Sequence, residues 1–220
     1  MVFQIWAIIT LILKTMRKSK NISQPKRLVY SFVIEGKCEL WYLQLLKQHE
    51  NLNINFEPKL PKKKTLIEQF NLIKTLVPES EKVFWVIDFD AIMKETREAK
   101  RGEKTPLQKL KELCLRCKSN KKIIMIINNP CLEYWFLLHF ERTSTSYDSY
   151  EQLKKPLQKH LRDYEKTEKY YKKSPLNIYQ QLKPNLSIAR TNAESLGEFS
   201  LDHVQAGIAE MYKIFKFLDL

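Results

Sequence analysis

The chain has 220 residues, of which 44% are hydrophobic and 29% are charged, and this composition excludes a disordered chain. The net charge of +13 is typical of proteins that bind a polyanion, most often nucleic acid, although a lysine-rich soluble surface has the same composition. The chain has only 4 glycines and no glycine-rich phosphate-binding motif, which argues against the common nucleotide-cradling folds.

Residues 1–26 are an apolar and then basic leader that need not be part of the core. The apolar run over residues 2–13 is too short to span a bilayer, which takes about 20 residues, so no stable membrane span is predicted. Basic residues follow this run instead of preceding it, unlike a secretory signal. Three interpretations stay open: an interfacial anchor, an amphipathic packing helix, or sequence upstream of a true start at Met16.

Strands and helices alternate after the leader. The pattern predicts strands over residues 28–34, 53–58, 82–87 and 121–127, helices over residues 38–49, 65–76, 105–118 and 129–140, and a charged mobile loop over residues 93–104. Such alternation implies βαβ units. The predicted fold class is α/β, with a mostly parallel sheet flanked by helices over residues 27–142.

Residues 143–220 are predicted to be a helical extension that completes the same module. Helices are expected over residues 150–164, 175–182, 186–196 and 203–218, and Pro156 should kink or split the first of them.

Four cysteines include one pair in a CxxC, Cys114 and Cys117, inside a predicted helix. A structural zinc site normally needs a second pair, which is absent at suitable spacing. This usage predicts reduced thiols in a cytoplasmic protein.

Acidic residues follow three of the predicted strands. Asp88 and Asp90 follow the most apolar strand, Glu35 follows the first, and Glu133 lies in the helix that begins after the last. Parallel strands bring their carboxyl ends to one edge of the sheet, where mutual repulsion is relieved by a cation. Oxygen ligands favour Mg²⁺ or Mn²⁺ and phosphoryl transfer. Alternatively, the aspartates are turn residues and Glu133 only complements its helix N-terminus.

Several segments resemble those of the RloB-like family, which belongs to the Toprim superfamily. Residues 35–42 (Glu-Gly-Lys-Cys-Glu-Leu-Trp-Tyr) are similar to its Glu-Gly-x-x-Glu-x-x-Tyr start, and residues 88–90 to the Toprim Asp-x-Asp. Residues 129–140 resemble its Asn-Pro-Cys-Phe-Glu-x-Trp-x-Leu-Leu-His-Phe segment, the most specific of these similarities. Residues 164–166 resemble a Tyr-x-Lys motif, and residues 187–193 the helix that follows it. The resemblance extends from about residue 27 to the C-terminus.

This resemblance implies a Toprim fold, a magnesium (or manganese) site and nuclease-type phosphodiester cleavage. It also implies a role in antiphage defence or abortive infection, often beside an ATPase partner. By the same carry-over, Glu35 is the general acid/base or metal-activating residue, Asp88 and Asp90 hold the metal, Glu133 adds to the acidic cluster, and Lys166 neutralises phosphate charge.

The chain departs from the family pattern at three positions. Ile92 replaces the third aspartate, Phe89 replaces the usual arginine, and Cys38 stands where threonine is usual. The missing acid favours one firmly held metal over two. It also leaves open an alternative, in which the chain is a non-catalytic nucleic-acid- or ATPase-binding subunit of a defence complex.

The predicted extension is strongly basic. Candidate nucleic-acid-binding residues are Lys154, Lys155, Lys159, Arg162, Lys169, Lys172 and Lys173. Tyr164, Tyr170 and Tyr171 are interleaved with them, and backbone contact plus stacking would suit single-stranded nucleic acid. A solvated helix face is the alternative.

Overall fold

A computed structural model of the protein describes residues 29–57, 59 and 64–220. The interpretations of residues 1–26, including the anchor and the start at Met16, therefore lie outside the described residues. In the part of the chain that is described, no helix has the length and apolar character needed to cross a membrane.

A five-stranded sheet forms the centre of the fold. Its strands are β1 (Tyr30–Val33), β2 (Ile54–Glu57), β3 (Lys82–Asp88), β4 (Ile123–Asn129) and β5 (Ile208–Ala209), in the order β2-β1-β3-β4-β5. The first four strands are parallel, and β5 pairs antiparallel with the end of β4. The sequence therefore predicted the mostly parallel α/β fold correctly, because β3 and β4 are apolar runs that suit burial on both faces.

Ten α-helices are described in addition to one short 3₁₀ turn. They are α1 (Lys37–His49), α2 (Leu66–Leu76), α3 (Phe89–Glu98), α4 (Pro106–Lys118), α5 (Leu132–Leu137), α6 (Tyr150–Gln158), α7 (Glu168–Tyr171), α8 (Ile178–Leu182), α9 (Leu186–Leu196) and α10 (Tyr212–Leu218). Capping boxes begin α2 at Thr65 and α4 at Thr105; the second, with Pro106 and Gln108, is the predicted one.

The sheet separates two apolar cores because successive side chains of a strand point to opposite faces. Phe84 and Val86 of β3 pack with α1, α5 and most of the C-terminal helices, whereas Trp85 and Ile87 pack with α2, α3 and α4. The C-terminal extension thus shares the larger core.

Two local predictions were wrong. Residues 93–104 are not wholly a loop, since α3 extends to Glu98 and buries Ile92. The predicted helix over residues 203–218 is instead β5 followed by α10. Charged residues had suggested the loop, and helical periodicity had suggested the helix. In both regions tertiary packing determines the structure instead. Helix α6 ends at Gln158, two residues after the predicted break at Pro156.

Candidate functional site

Asp88 and Asp90 lie at the carboxyl edge of the sheet, where β3 passes directly into α3. The backbone N–H of Leu132 donates to Asp88 Oδ1 over 3.0 Å, and the N–H of Asp90 donates to the Pro130 carbonyl over 3.0 Å. The segment that connects β4 to α5 is therefore fixed against the end of β3. The backbone of Tyr150, at the start of the C-terminal extension, lies near the Asp90 carboxyl and stabilises its charged form, although burial raises the pKa of Asp90 overall.

Glu39, in the first turn of α1, brings a further carboxyl to this edge. Its side chain is buried, and a Cβ added to Gly36 would lie only 2.0 Å from Glu39 Oε2. The Glu-Gly motif thus has a physical reason: any residue other than glycine at position 36 would collide with the Glu39 carboxyl or displace it.

Glu133 is fully buried in α5 and has two partners from the extension. The Tyr164 hydroxyl donates to Glu133 Oε1 over 2.7 Å, and Lys166 Nζ forms an ion pair with Glu133 Oε2 at 2.9 Å. Lys166 Nζ also lies 4.1 Å from the centroid of the Tyr150 ring. Together, Glu39, Asp88, Asp90, Glu133 and Lys166 form what we call the acidic cluster.

The carboxyls of the acidic cluster repel one another in a buried environment. Burial, followed by the charges of Glu39 and Glu133, raises the pKa of Asp88 well above its ordinary value. Burial is also the main cause of the raised pKa of Glu39 and of Asp90. For Lys166, burial opposes the charged form, but Glu133 and its neighbours outweigh burial and raise the pKa. One ammonium therefore lies among four carboxyls, so the cluster favours additional positive charge.

Two buried side chains at this edge have polar atoms with neither a hydrogen-bond partner nor an ion-pair partner among the described residues. They are Glu39, through Oε2, and Asn128, through both Oδ1 and Nδ2. Asn128 is the residue of β4 that pairs with Asp88, so the two side chains share one face of the sheet. Buried polar atoms without partners are costly, which makes them candidates for contact with a ligand.

Neither Glu39 nor Asn128 was predicted as a site residue. Glu39 stood in the motif over residues 35–42 but was given no role. Its position four residues after Glu35, in the first helical turn, was the available signal. For Asn128, the signal was its place at the end of an apolar strand.

Glu35 differs from the other predicted site residues in its surroundings. Its Oε2 accepts a hydrogen bond from Gln69 Nε2 over 3.2 Å, and Gln69 Oε1 accepts one from the buried Trp85 indole over 2.7 Å. Because Ile34 points into the larger core, Glu35 turns to the opposite face, toward α2. The hydrogen bond to Gln69 thus connects Glu35 to α2, and its catalytic and metal-binding roles stay predictions.

The predicted metal ligands are not assembled as a ready-made site. Across residues 29–57, 59 and 64–220, no three or more His, Cys, Asp or Glu side chains are grouped so as to hold a metal ion. The donor chemistry nevertheless fits a hard divalent cation, since the cluster offers carboxylate oxygens, an unpartnered buried Glu39 Oε2 and uncompensated charge. Metal binding by Glu35, Asp88, Asp90 and Glu133 stays a prediction.

The basic residues of the extension lie on its surface, but the tyrosines among them do not. Lys155, Lys159, Arg162, Lys169 and Lys172 are exposed, whereas Lys154 and Lys173 are half-buried. Lys172 forms an ion pair with Glu168, and Lys173 Nζ lies 4.0 Å from the centroid of the Tyr170 ring.

The expectation of base stacking on this surface was wrong for its three tyrosines. Tyr164 and Tyr171 are fully buried, and Tyr170 is only 7% exposed. Their rings are committed to the larger core.

The family assignment rests on most of the chain. A family model described as RloB-like protein matches residues 30–218, from β1 to the end of α10. No curated protein and no solved structure shows significant similarity to the chain. Since the matched region includes every described strand and the whole acidic cluster, the chain belongs to the RloB-like protein family.

Proposed function

We propose that this protein is a metal-dependent nuclease of the Toprim type that cleaves phosphodiester bonds in antiphage defence. The observation that carries the proposal is the acidic cluster, where four carboxyls and Lys166 converge at the carboxyl edge of a parallel sheet. Ligand sites of open α/β sheets lie at this edge. A net charge of +13 provides long-range attraction for a nucleic acid substrate.

In this proposal, Asp88 and Asp90 hold Mg²⁺ or Mn²⁺, with Glu39 and Glu133 as the neighbouring carboxyls. The bound cation would stabilise negative charge on the phosphate in the transition state. Lys166 is ion-paired with Glu133 and keeps 34% of its side chain exposed, so its ammonium can also contact a phosphate oxygen. Glu39, whose pKa is raised mainly by burial, can hold or return a proton at a higher pH than an ordinary carboxylic acid can.

The decisive experiment is cleavage of single- and double-stranded DNA and RNA by the purified chain in Mg²⁺ or Mn²⁺. Asp88→Asn should lower the rate by about 10³-fold, because loss of a metal ligand removes several kcal/mol of transition-state stabilisation. Asp163→Asn, which removes an exposed carboxylate elsewhere, is the matched control. Undiminished cleavage by Asp88→Asn would show that another site or a contaminant is responsible.

One observation favours a second candidate, a non-catalytic subunit that binds nucleic acid or an ATPase partner. Ile92, at the position of the third Toprim aspartate, is a residue of α3 whose side chain is buried in the core with Trp85 and Ile87. The described residues also lack a ready-made metal group. In that case, the isolated chain would bind nucleic acid without cleaving it in either metal, and Asp88→Asn would bind as well as the wild type.

A further inference from the structure

The sheet has an open edge along the first half of β4. Strand β5 pairs only with Asn128 and Asn129, and no other described strand pairs with β4 on that side. Along a parallel strand, the backbone N–H and C=O of one residue point toward the neighbouring strand on one side, and those of the next residue point toward the other side. Lys122 accepts from Val83 of β3, whereas Ile127 bonds to Glu210 on the outer side. By the same alternation, the N–H and C=O of Met125 point outward.

This edge is the floor of a groove of about 740 Å³. Its walls are α4 on one side and residues 198–202 together with α10 on the other. The groove is where the next strand of the sheet would lie. Glu210 closes one end: its N–H donates to the Ile127 carbonyl over 3.3 Å, and its Oε2 accepts from the Ile127 N–H over 2.9 Å. In the remaining stretch, residues 123–126, the Ile123 N–H already donates to the Asn120 carbonyl over 3.0 Å. The Ile123 carbonyl and both backbone groups of Met125 are left to pair with a short added strand.

The walls of the groove carry apolar side chains that the other described residues do not cover. Leu115 of α4 is 63% exposed, and Phe217 of α10 is 40% exposed. Ile123 and Met125 on the floor are only partly buried. A strand placed here would bury both walls and pair its backbone at the same time, which is how sheet-edge recognition achieves affinity and specificity.

The charge around the groove selects the kind of partner. Lys111, Lys118 and Lys121 are exposed, and none of them forms an ion pair with another described residue. By contrast, Glu198 and Glu210 both pair with Lys213. Asp202 on the lining is also exposed and forms no ion pair with another described residue, so three unpaired lysines face one unpaired carboxylate and the unpaired charge is positive overall. A second copy of this chain would add the same unpaired lysines, so self-pairing through this edge is disfavoured.

We propose that the groove between α4 and α10 binds an extended segment of a protein partner, which adds a strand to β4 through alternating apolar side chains flanked by acidic residues. This surface includes none of the residues of the acidic cluster, so the inference does not depend on the proposed function.

The test uses the full chain and a fluorescently labelled, capped peptide, Glu-Glu-Val-Thr-Val-Thr-Val-Glu-Glu, with binding followed by anisotropy. A peptide with lysine in place of each glutamate is the charge control, and it should bind at least about tenfold more weakly because it faces the same lysines. Met125→Pro should also weaken binding of the acidic peptide at least about tenfold. It removes an outward-facing N–H without removing a bond to β3, as proline does on edge strands.

A second variant keeps the proposal testable if Met125→Pro does not fold. The exposed pair Lys118→Glu and Lys121→Glu should reverse the preference, so that the lysine-flanked peptide binds better than the acidic one. Absence of binding by the acidic peptide, or equal binding of both peptides, would overturn the proposal. Concentration-dependent dimerisation that Met125→Pro abolishes would also overturn it, because the occupant would then be a second copy.

Discussion

At the carboxyl edge of the sheet, the acidic and polar side chains on the two faces differ in whether their polar atoms have hydrogen-bond partners. On the side of α2, Glu35, Gln69 and Trp85 form a continuous hydrogen-bonded chain. On the side of α1 and α5, Glu39 and Asn128 keep buried atoms without partners, and the carboxyls raise one another's pKa. Satisfied networks stabilise a fold, whereas unsatisfied ones lower its stability and persist where a ligand completes them. The contrast favours the face of α1 and α5, the second face, as the one where a ligand would bind.

Matched substitutions on the two faces should give the largest difference, and they also test the catalytic role that the family resemblance implies for Glu35. Glu39→Gln should lower the rate of phosphodiester cleavage by about 10³-fold, since it removes a carboxylate from the acidic cluster. Glu35→Gln preserves size and an oxygen that accepts from Gln69, so its rate should fall by about tenfold or less. The measurement is kcat/KM at fixed Mg²⁺. An equal loss of kcat/KM in both variants would contradict the comparison and show that Glu35 takes part in the reaction as Glu39 does.

Lys166 tests whether the extension takes part in the chemistry of the second face. Lys166→Met should lower the rate by about 10²-fold and the free energy of unfolding by about 2 kcal/mol, because it leaves the buried Glu133 carboxylate without its cation. Urea unfolding and cleavage rates measure the two effects. Lys169→Met, on the exposed surface nearby, is the matched control. Equal cleavage rates and equal free energies of unfolding in the two variants would show that Lys166 has no more effect than an ordinary exposed lysine.

The smallest effect is a gain in stability. The pKa of Glu39 is raised in the folded chain, so its ionisation opposes folding, and stability falls as pH rises from about 4.3, the unfolded value, through the folded value. Without divalent metal, Glu39→Gln should therefore be more stable than wild type by about 1–2 kcal/mol at neutral pH, with a shallower loss of stability as pH rises.

Urea unfolding at a series of pH values, with the exposed Glu103→Gln as control, measures this gain. A Glu39→Gln variant less stable than wild type at neutral pH would show that the carboxylate is well accommodated on this face.

The sequence predicted the parallel sheet because β3 and β4 are long apolar runs, and it predicted Asp88, Asp90 and Glu133 at the sheet edge because parallel strands bring their ends together. It could not place Glu35, since one residue of strand alternation decides which face a side chain occupies. It also could not show that the tyrosines of the extension are buried, because aromatic residues between lysines suit both a core and a stacking surface.

Binding of Mn²⁺ by the acidic cluster tests the central claim most directly, and electron paramagnetic resonance follows free Mn²⁺ without requiring a substrate. We expect that the wild-type chain binds Mn²⁺, that Asp88→Asn and Glu39→Gln lose this binding, and that Glu35→Gln keeps it. Equal Mn²⁺ binding by wild type and Asp88→Asn, or no binding by wild type, would contradict the claim.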